Sequence, residues 1–287
     1  LPQELIIIDE FSMVDIFLAN SLFKAIRPDT IIVIVGDEAQ LESVNPGNVL
    51  GDLMNDDHIP SNRLDLIFRQ GKGSTIAELA KKIDKSEKIE LISTSDMGVV
   101  EKNGNLVKVV KDIQEKSFKA GYNESDVQVL YPKYKGENGI DKLNAILKPK
   151  INEEQLIVKY KESEYQVGNK IMQLKNDYDK EIYNGDIGFI TKILNPDAKA
   201  KELVMEIEVR GNYIHLAKKD LENITHAYAI SIHKAQGSEF PVVIVPIAKE
   251  TNRMLTKKLL YTAISRAKDK LVIVGETDVF LDGIKNS

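Results

Sequence analysis

Short runs of apolar residues recur along the chain without the alternation of a strand that has one face in water. They cover residues 5–8, 31–35, 127–130, 242–245 and 271–274. Continuous Val, Ile and Leu runs are typical of strands buried on both faces, as in a parallel sheet between layers of helices. Between these runs, apolar residues recur at helical spacing in two segments, 75–83 and 254–267. The first segment opens with the capping box Thr75-x-x-Glu78. This alternation predicts an α/β fold.

The pattern changes between residues 151 and 223. Polar and apolar residues alternate there in short segments, separated by turn clusters such as Asn184-Gly185-Asp186. The predicted strands cover residues 156–160, 170–174, 187–193, 203–209 and 213–216. We interpret this part as a small antiparallel β-barrel inserted into the α/β framework. Its lysines, Lys170 among them, have acidic neighbours, which favours a solvated face over a nucleic-acid groove.

The amino-acid composition limits the kinds of site and the classes of protein that the chain can represent. The chain has 287 residues, no cysteine, and a formal net charge of −5, so disulfides and thiolate metal sites are excluded, and any nucleic-acid contact must be local. The histidines have no metal-ligand spacing, and no apolar run approaches the roughly 20 residues of a membrane span. We expect a cytoplasmic protein without a membrane partner. Because the chain begins at Leu1, eight positions before its first candidate site, we expect it to be cut from something longer.

The first candidate site is Ile6-Ile7-Ile8-Asp9-Glu10. In phosphate-transferring ATPases an apolar strand ends in an aspartate that holds Mg²⁺, and an adjacent glutamate can polarise the attacking water. The alternative is an ordinary acidic turn in which Ser12 or Asp15 caps a helix. Such chemistry normally also needs a glycine-rich phosphate loop. The nearest candidate, residues 70–75, fails the pattern G-x-x-x-x-G-K-[ST], because Lys72 is followed by glycine and Leu66 occupies the first glycine position.

A second strand ends in Gly36-Asp37, and Gln40 follows in the segment VIVGDEAQLESVNPG. A glutamine at this place can sense a γ-phosphate and report its hydrolysis to a neighbouring surface. The alternative is a polar loop with a Pro-Gly turn. Two arginines at the edges of apolar patterns, Arg69 and Arg266, suit the neutralisation of a transferring phosphoryl group. A surface salt bridge is the alternative for each.

The segment HKAQGSE lies between two strand-like runs. Gly237 permits close approach of the backbone to a ligand, Lys234 and His233 can meet phosphates, and Glu239 can accept a hydrogen bond from a ribose hydroxyl. A polar crossover loop is the alternative.

Taken in order, DEFSM, GDEAQLESVNPG, LDLIFRQ, AISIHKAQGSEF and LYTAISRAK resemble motifs II to VI of superfamily 1 helicases, specifically the RecD-like group. The resemblance implies two RecA-like P-loop NTPase domains with parallel sheets, the first one partial, and an inserted SH3-like β-barrel. It places the end of the first motor domain at 1–65, the second at 66–150 and 224–287, and the insert at 151–223. Since the first domain lacks strands, we expect 5–8 and 31–35 to be exposed edges.

The resemblance also assigns cofactors and roles. ATP with Mg²⁺ binds between the two motor domains, and single-stranded DNA crosses their top. Asp9 coordinates Mg²⁺, Glu10 activates water, and Gln40 senses the γ-phosphate. The remaining assignments are Arg69 and Arg266 at the γ-phosphate, Gly237 and Glu239 beside the nucleotide, and His233 and Lys234 toward DNA.

The implied function is part of an ATP-dependent 5′–3′ DNA helicase of recombination or repair. Motif I and its phosphate-gripping lysine are absent, so we expect this chain alone to be inactive as an ATPase. Alternatives are an RNA-directed superfamily 1 motor and a non-catalytic protein that holds DNA or a partner. A nuclease–helicase complex, a stand-alone enzyme and a relaxase are all compatible with the motifs, and a monomer suits a translocating motor.

Overall fold

The computed structural model describes residues 1–64, 73–101 and 104–286. The strands in these ranges are β1 Leu5–Ile8, β2 Ile31–Ile34, β3 Met97–Glu101, β4 Val127–Leu130, β5 Val158–Tyr160, β6 Ser163–Tyr165, β7 Lys170–Gln173, β8 Ile187–Ile193, β9 Leu203–Val209, β10 Asn212–Ala217, β11 Ile224–His226, β12 Ala229–Ile230, β13 Phe240–Ile247 and β14 Ala267–Gly275. The α-helices are α1 Ile16–Ala25, α2 Val49–Met54, α3 Thr75–Asp84, α4 Leu106–Lys119, α5 Ile140–Leu147, α6 Lys257–Ser265 and α7 Thr277–Lys285.

A five-stranded parallel sheet forms the largest layer, in the order β12-β4-β13-β14-β3. Alternate residues of β13 face opposite ways: Val243 and Val245 pack with α3, α6 and α7, whereas Val242 and Ile244 pack with α4 and α5. The sheet is therefore covered on both faces, as the continuous apolar runs predict. This confirms the α/β prediction.

The first two strands behave differently. β1 and β2 pair with each other in parallel, and α1 and α2 contribute to a small core on one side that contains Phe11 and Leu50. The other side is open, so Ile7 is 64% exposed and Ile31 is 65% exposed. The expectation that both strands are edges is confirmed, since within the described residues β1 and β2 pair only with each other. Burial on both faces, which the apolar runs alone predict, is wrong here because the helices of the described ranges cover only one face of this sheet.

The inserted part is a five-stranded antiparallel sheet in the order β10-β9-β8-β7-β11, with its own apolar core. The predicted strands 187–193 and 203–209 coincide with β8 and β9. In place of the predicted strand 156–160, the structure has the shorter strand β5, Val158–Tyr160. It pairs with β6 in a separate hairpin and not with the five-stranded sheet.

Lys170 joins the two sheets. It lies on β7 and is 1% exposed, which contradicts its interpretation as part of a solvated face. Its Nζ donates hydrogen bonds to the carbonyl oxygens of Glu124 at 3.0 Å and Val127 at 3.2 Å, and to Gln128 Oε1 at 2.8 Å. Three acceptors match the three donors of an ammonium group. The antiparallel sheet is thus anchored to β4 through a buried polar contact.

His226 makes the insert sensitive to acid. It stacks on Tyr165 with ring centroids 4.8 Å apart, and burial lowers its pKa to about 4, with the charge of Lys148 acting in the same direction. An unfolded histidine binds a proton below about pH 6.5. Between about pH 6.5 and 4 the unfolded state therefore holds more protons, and the free energy of unfolding falls as the pH falls.

We expect this loss to reach about 3 kcal/mol between pH 7 and pH 4. Urea unfolding at the two pH values measures it, and His226→Phe should remove most of the difference. His215→Gln provides a control, because the His215 side chain is 50% exposed on the same sheet. An unchanged acid dependence in His226→Phe would contradict the assignment.

Candidate functional site

The carboxyl end of β1 carries a strained backbone. Glu10 has φ 54° and ψ 37°, the left-handed conformation, and its N–H donates to Asp9 Oδ1 at 2.8 Å. A non-glycine residue held there costs about 1 kcal/mol or more and is often found at functional sites. Asp9 is exposed and Glu10 partly so. The pair therefore offers carboxylate oxygens to an incoming ligand.

The end of β2 packs closely against this turn. A Cβ atom on Gly36 would lie 2.7 Å from Leu50 Cδ2 and 3.2 Å from the backbone nitrogen of Ser12. The Phe11 N–H donates to the Val35 carbonyl at 3.0 Å. Position 36 therefore has little room for a side chain, and the Phe11–Val35 hydrogen bond holds the ends of β1 and β2 together.

Asp37 organises the next turn. Its Oδ1 accepts from the Ala39 N–H at 3.0 Å, and its Oδ2 accepts from Gln40 Nε2 at 3.1 Å and from the Tyr261 hydroxyl at 3.0 Å. Burial raises the pKa of Tyr261, and the negative charge of Asp37 raises it further. The tyrosine therefore stays protonated and acts as the donor. This contact joins the end of β2 to α6.

Residues 37–42 contact both α6 and the HKAQGSE segment. The Leu41 N–H donates to Thr262 Oγ at 2.8 Å, and Gln236 Nε2 donates to the Leu41 carbonyl at 2.8 Å. Lys258 pairs with Glu42 in the same region. Three sequence motifs that are distant along the chain thus share one hydrogen-bonded contact.

Two buried polar atoms at these strand ends have no hydrogen-bond partner within the described part of the chain: Gln40 Oε1 and Ser12 Oγ. Gln40 is 6% exposed and Ser12 is 8% exposed. Buried polar atoms are normally satisfied, so these two suit a ligand or a water molecule.

Arg266 lies at the C-cap of α6. It is 1% exposed. Its guanidinium donates to the carbonyl oxygens of Thr262 at 3.3 Å and Ser238 at 3.2 Å, and to Ser265 Oγ at 3.1 Å. Its positive charge also opposes the rise in the pKa of Tyr261, so it lies near the Asp37–Tyr261 contact.

Gly237 and Glu239, two other predicted nucleotide residues, flank Ser238, whose carbonyl oxygen accepts a hydrogen bond from Arg266. Arg69 lies outside the described residues. Gly237 has φ 72°, and a Cβ there would meet no heavy atom within 4 Å, which leaves room for a ligand. Glu239 forms an ion pair with Lys268 at 2.9 Å.

His233 and Lys234 lie in a 3₁₀ turn, Ile232–Ala235, that Ser231 caps. Burial lowers the pKa of both side chains. Lys234 Nζ donates to Asn184 Oδ1 in the loop between β7 and β8. The predicted DNA-facing segment therefore contacts the inserted sheet.

The residues fit a magnesium–nucleotide complex in one respect. Mg²⁺ in such sites uses one or two carboxylates and keeps several waters, and Asp9 provides an exposed carboxylate at the end of β1. Across the described ranges, no cluster of three or more His, Cys, Asp or Glu residues is arranged to hold a metal.

Sequence reasoning missed the residues that hold this site together: Tyr261, Thr262 and Gln236. All three lie inside the motifs LYTAISRAK and HKAQGSE. Their place in these motifs was the one sign in the sequence that they have a role. Their hydrogen-bond partners, Asp37 and Leu41, are distant along the chain and could not be identified from it.

Three known families match parts of the chain. The AAA domain family matches residues 1–105, the ATP-dependent RecD-like DNA helicase SH3 domain matches 141–207, and the UvrD-like helicase C-terminal domain matches 226–274.

Curated relatives match almost the whole chain. The ATP-dependent RecD2 DNA helicase of Deinococcus radiodurans is 31% identical over 97% of this chain and 37% of its own length. The RecBCD enzyme subunit RecD of Mycolicibacterium smegmatis is 28% identical over 96% of this chain and 50% of its own length. The chain thus spans half or less of the length of these two relatives.

Solved structures of helicases share the fold. A structure of two Pif1 helicases coordinating at forked double-stranded DNA has a TM-score of 0.54, with 20% identity over 94% of this chain and 69% of that chain. Bacteroides Pif1 in complex with ADP-AlF3 and single-stranded DNA has a TM-score of 0.50, with 19% identity over 95% of this chain and 70% of that chain. These likenesses show that the parallel-sheet part has a RecA-like helicase fold. None of the helices in the described ranges is both long and apolar enough to cross a membrane.

Proposed function

We propose that this chain, which belongs to the RecD-like helicases, is part of an ATP-dependent 5′–3′ DNA helicase that moves along single-stranded DNA in recombination or repair. The names of its relatives in Deinococcus radiodurans and Mycolicibacterium smegmatis, a DNA helicase and a RecBCD subunit, support this class. We further propose a motor segment at 1–65, a second motor domain at 66–150 and 224–287, and an SH3-like insert at 151–223.

One observation carries the proposal. Residues 37–42 bind α6 through Tyr261 and Thr262 and bind the HKAQGSE segment through Gln236. The loop after β2 thereby connects the strand ends, one of which carries Asp9 and Glu10, with the segment that contains Lys234 and with the helix that Arg266 caps. A change at one of these positions can reach the others through short hydrogen bonds, as chemical coupling to translocation requires.

In the proposed site, Asp9 would hold Mg²⁺, Glu10 would accept a proton from water, and Gln40 would sense the γ-phosphate of ATP. Bound ATP supplies the phosphoryl group, and Arg69 and Arg266 stabilise its developing charge. Gly237 and Glu239 border the nucleotide. His233 and Lys234 face the DNA.

Arg266 is 1% exposed in the arrangement described above, and its guanidinium donates to Thr262, Ser238 and Ser265. These bonds use three of the five N–H donors of a guanidinium, so it is the burial of the side chain that must be relieved before Arg266 contacts a phosphate. The proposed cycle therefore includes a movement of the α6 end relative to the loop that holds Ser238.

The experiment that tests the function compares ATP hydrolysis by the whole protein with and without single-stranded DNA. We expect stimulation by DNA and weaker stimulation by RNA of the same sequence. Equal or stronger stimulation by RNA would favour the RNA-directed alternative. DNA binding without hydrolysis would favour the non-catalytic one.

Residues 1–287 expressed alone are expected to release no phosphate above background. The sequence has no G-x-x-x-x-G-K-[ST] segment, and the backbone donors and lysine of that loop bind the β- and γ-phosphates. A phosphate-release assay with saturating DNA checks this. Steady DNA-stimulated turnover by residues 1–287 would contradict it.

A further inference from the structure

The loop between β7 and β8 borders an open depression of about 330 Å³ on the inserted sheet. Gln173, Asn176, Tyr178 and Asn223 are among the residues that line it. None of them belongs to the motifs discussed above. The depression combines a planar aromatic surface with hydrogen-bond acceptors that lack partners.

Tyr178 supplies the aromatic surface. Its side chain is 74% exposed, yet its position is supported: Asn176 Nδ2 donates to its hydroxyl at 3.2 Å, and its ring meets Tyr183 edge-to-face at 6.1 Å. The guanidinium of Arg210 lies 5.4 Å from the Tyr183 ring centroid. A supported tyrosine left largely in water is a suitable surface for stacking a base.

The acceptors are the side-chain oxygens of Gln173 and Asn223. Gln173 is 5% exposed, and its Nε2 donates to the Lys175 carbonyl at 2.8 Å, which fixes the orientation of its amide. Its Oε1 and Asn223 Oδ1 are both buried and have no hydrogen-bond partner in the described part of the chain. A ligand with N–H groups on a planar edge would satisfy them.

A chain of hydrogen bonds links the depression to Lys234, a residue of the proposed DNA path. Lys234 donates to Asn184 Oδ1, the Asn184 N–H donates to Asn176 Oδ1 at 2.9 Å, and Asn176 supports Tyr178. A strand that passes Lys234 therefore lies next to the loop that carries Tyr178.

Local charge favours a base over a phosphate. Asp177 pairs with Lys180, and Asp186 pairs with Arg210 at 2.9 Å. Lys175 and Asp179, which also line the depression, carry opposite charges. This balance offers no concentrated positive charge to a phosphate, while the ring and the amide oxygens suit a nucleobase.

We propose that this depression binds one unstacked base of single-stranded DNA, with Tyr178 against its face and Gln173 and Asn223 accepting hydrogen bonds from its N–H edge. The inference rests on the proposed function, since it assumes a DNA strand at Lys234. It adds a base-binding position on the insert to the contacts of the motor domains.

The test measures the affinity of the whole protein for a labelled single strand by fluorescence anisotropy. Tyr178→Ala is expected to weaken binding about tenfold, within the range for loss of one base–aromatic stack. Tyr178→Phe should stay close to wild type because it keeps the ring. Tyr213→Ala is the matched control: Tyr213 is 67% exposed on β10, at the other end of the same sheet.

Two further measurements separate stacking from charge. A strand with abasic sites across the bound region should bind the wild-type protein more weakly and should be insensitive to Tyr178→Ala. The salt dependence of binding should be the same in wild type and Tyr178→Ala, because no phosphate contact is removed.

Wild-type affinity in Tyr178→Ala, or equal losses in Tyr178→Ala and Tyr213→Ala, would overturn the base site and leave the proposed helicase function standing. An altered salt dependence in Tyr178→Ala would indicate a phosphate contact and would overturn it too. If the wild-type protein binds no single-stranded DNA, both this inference and the proposed function fail.

Discussion

Replacing Glu10 by glutamine is expected to lower kcat for DNA-stimulated ATP hydrolysis about a hundredfold or more in the whole protein. Glutamine keeps the size of the side chain and the left-handed backbone of this position, but it cannot accept a proton from water. Nucleotide affinity should change little, because the proposed role of Glu10 is in the chemical step. Steady-state phosphate release and binding of a fluorescent nucleotide measure the two quantities.

Glu10→Gly separates chemistry from stability. Glycine adopts φ 54° without the steric cost of a side chain, so this variant should be more stable than wild type by roughly 1 kcal/mol, and it should hydrolyse ATP as slowly as Glu10→Gln. Thermal unfolding alongside the activity assay gives both values. Near-wild-type turnover in Glu10→Gln would show that another group activates the water.

Lys170 is expected to give the protein a second, alkaline pH dependence. Burial lowers its pKa to about 7, although the charges of Glu124 and Asp126 oppose the shift. An unfolded lysine keeps its proton up to about pH 10.4. Between these values the unfolded state holds more protons, so the burial penalty is full below about pH 7 and the free energy of unfolding rises as the pH increases.

We expect the stability of wild type relative to Lys170→Met to rise by about 3 kcal/mol between pH 7 and pH 10. Methionine cannot titrate, and it removes the donor to the acceptors on Glu124, Val127 and Gln128 at every pH, which adds a constant cost. Denaturant unfolding across the range measures the difference. Lys192→Met, at an exposed position of β8, should show no such trend, and a flat difference for Lys170→Met would contradict the burial argument.

The sequence predicts local structure well where one pattern determines it. β8 and β9 match residue for residue because alternation and flanking turn clusters define both ends. β4 and β13 are predicted buried and are buried, since helices cover both faces. The RecD-like resemblance is confirmed by the family and relative matches, whereas the roles assigned to individual residues stay predictions.

Contacts between segments that are distant along the chain could not be predicted from the sequence. The Tyr261–Asp37 bond spans 224 positions, and neither residue differs in local pattern from an ordinary surface residue. Lys170 follows polar residues and precedes Ile171-Met172, so its sequence context does not distinguish a charged surface from a buried acceptor cage. The burial of Arg266 could not be predicted from the sequence either, because it depends on a contact with the carbonyl oxygen of Ser238 on another loop.

The open face of β1 and β2 also determines how the chain behaves in solution. Ile31 is paired with Leu5 and Ile7 with Val33 across this two-stranded sheet, and these residues are 65%, 51%, 64% and 41% exposed, respectively. Uncovered apolar strands favour edge-to-edge pairing between molecules. Aggregation of the protein in solution will therefore depend more on whether this apolar face is covered than on the net charge. Detergent should reduce aggregation more than a change in ionic strength does.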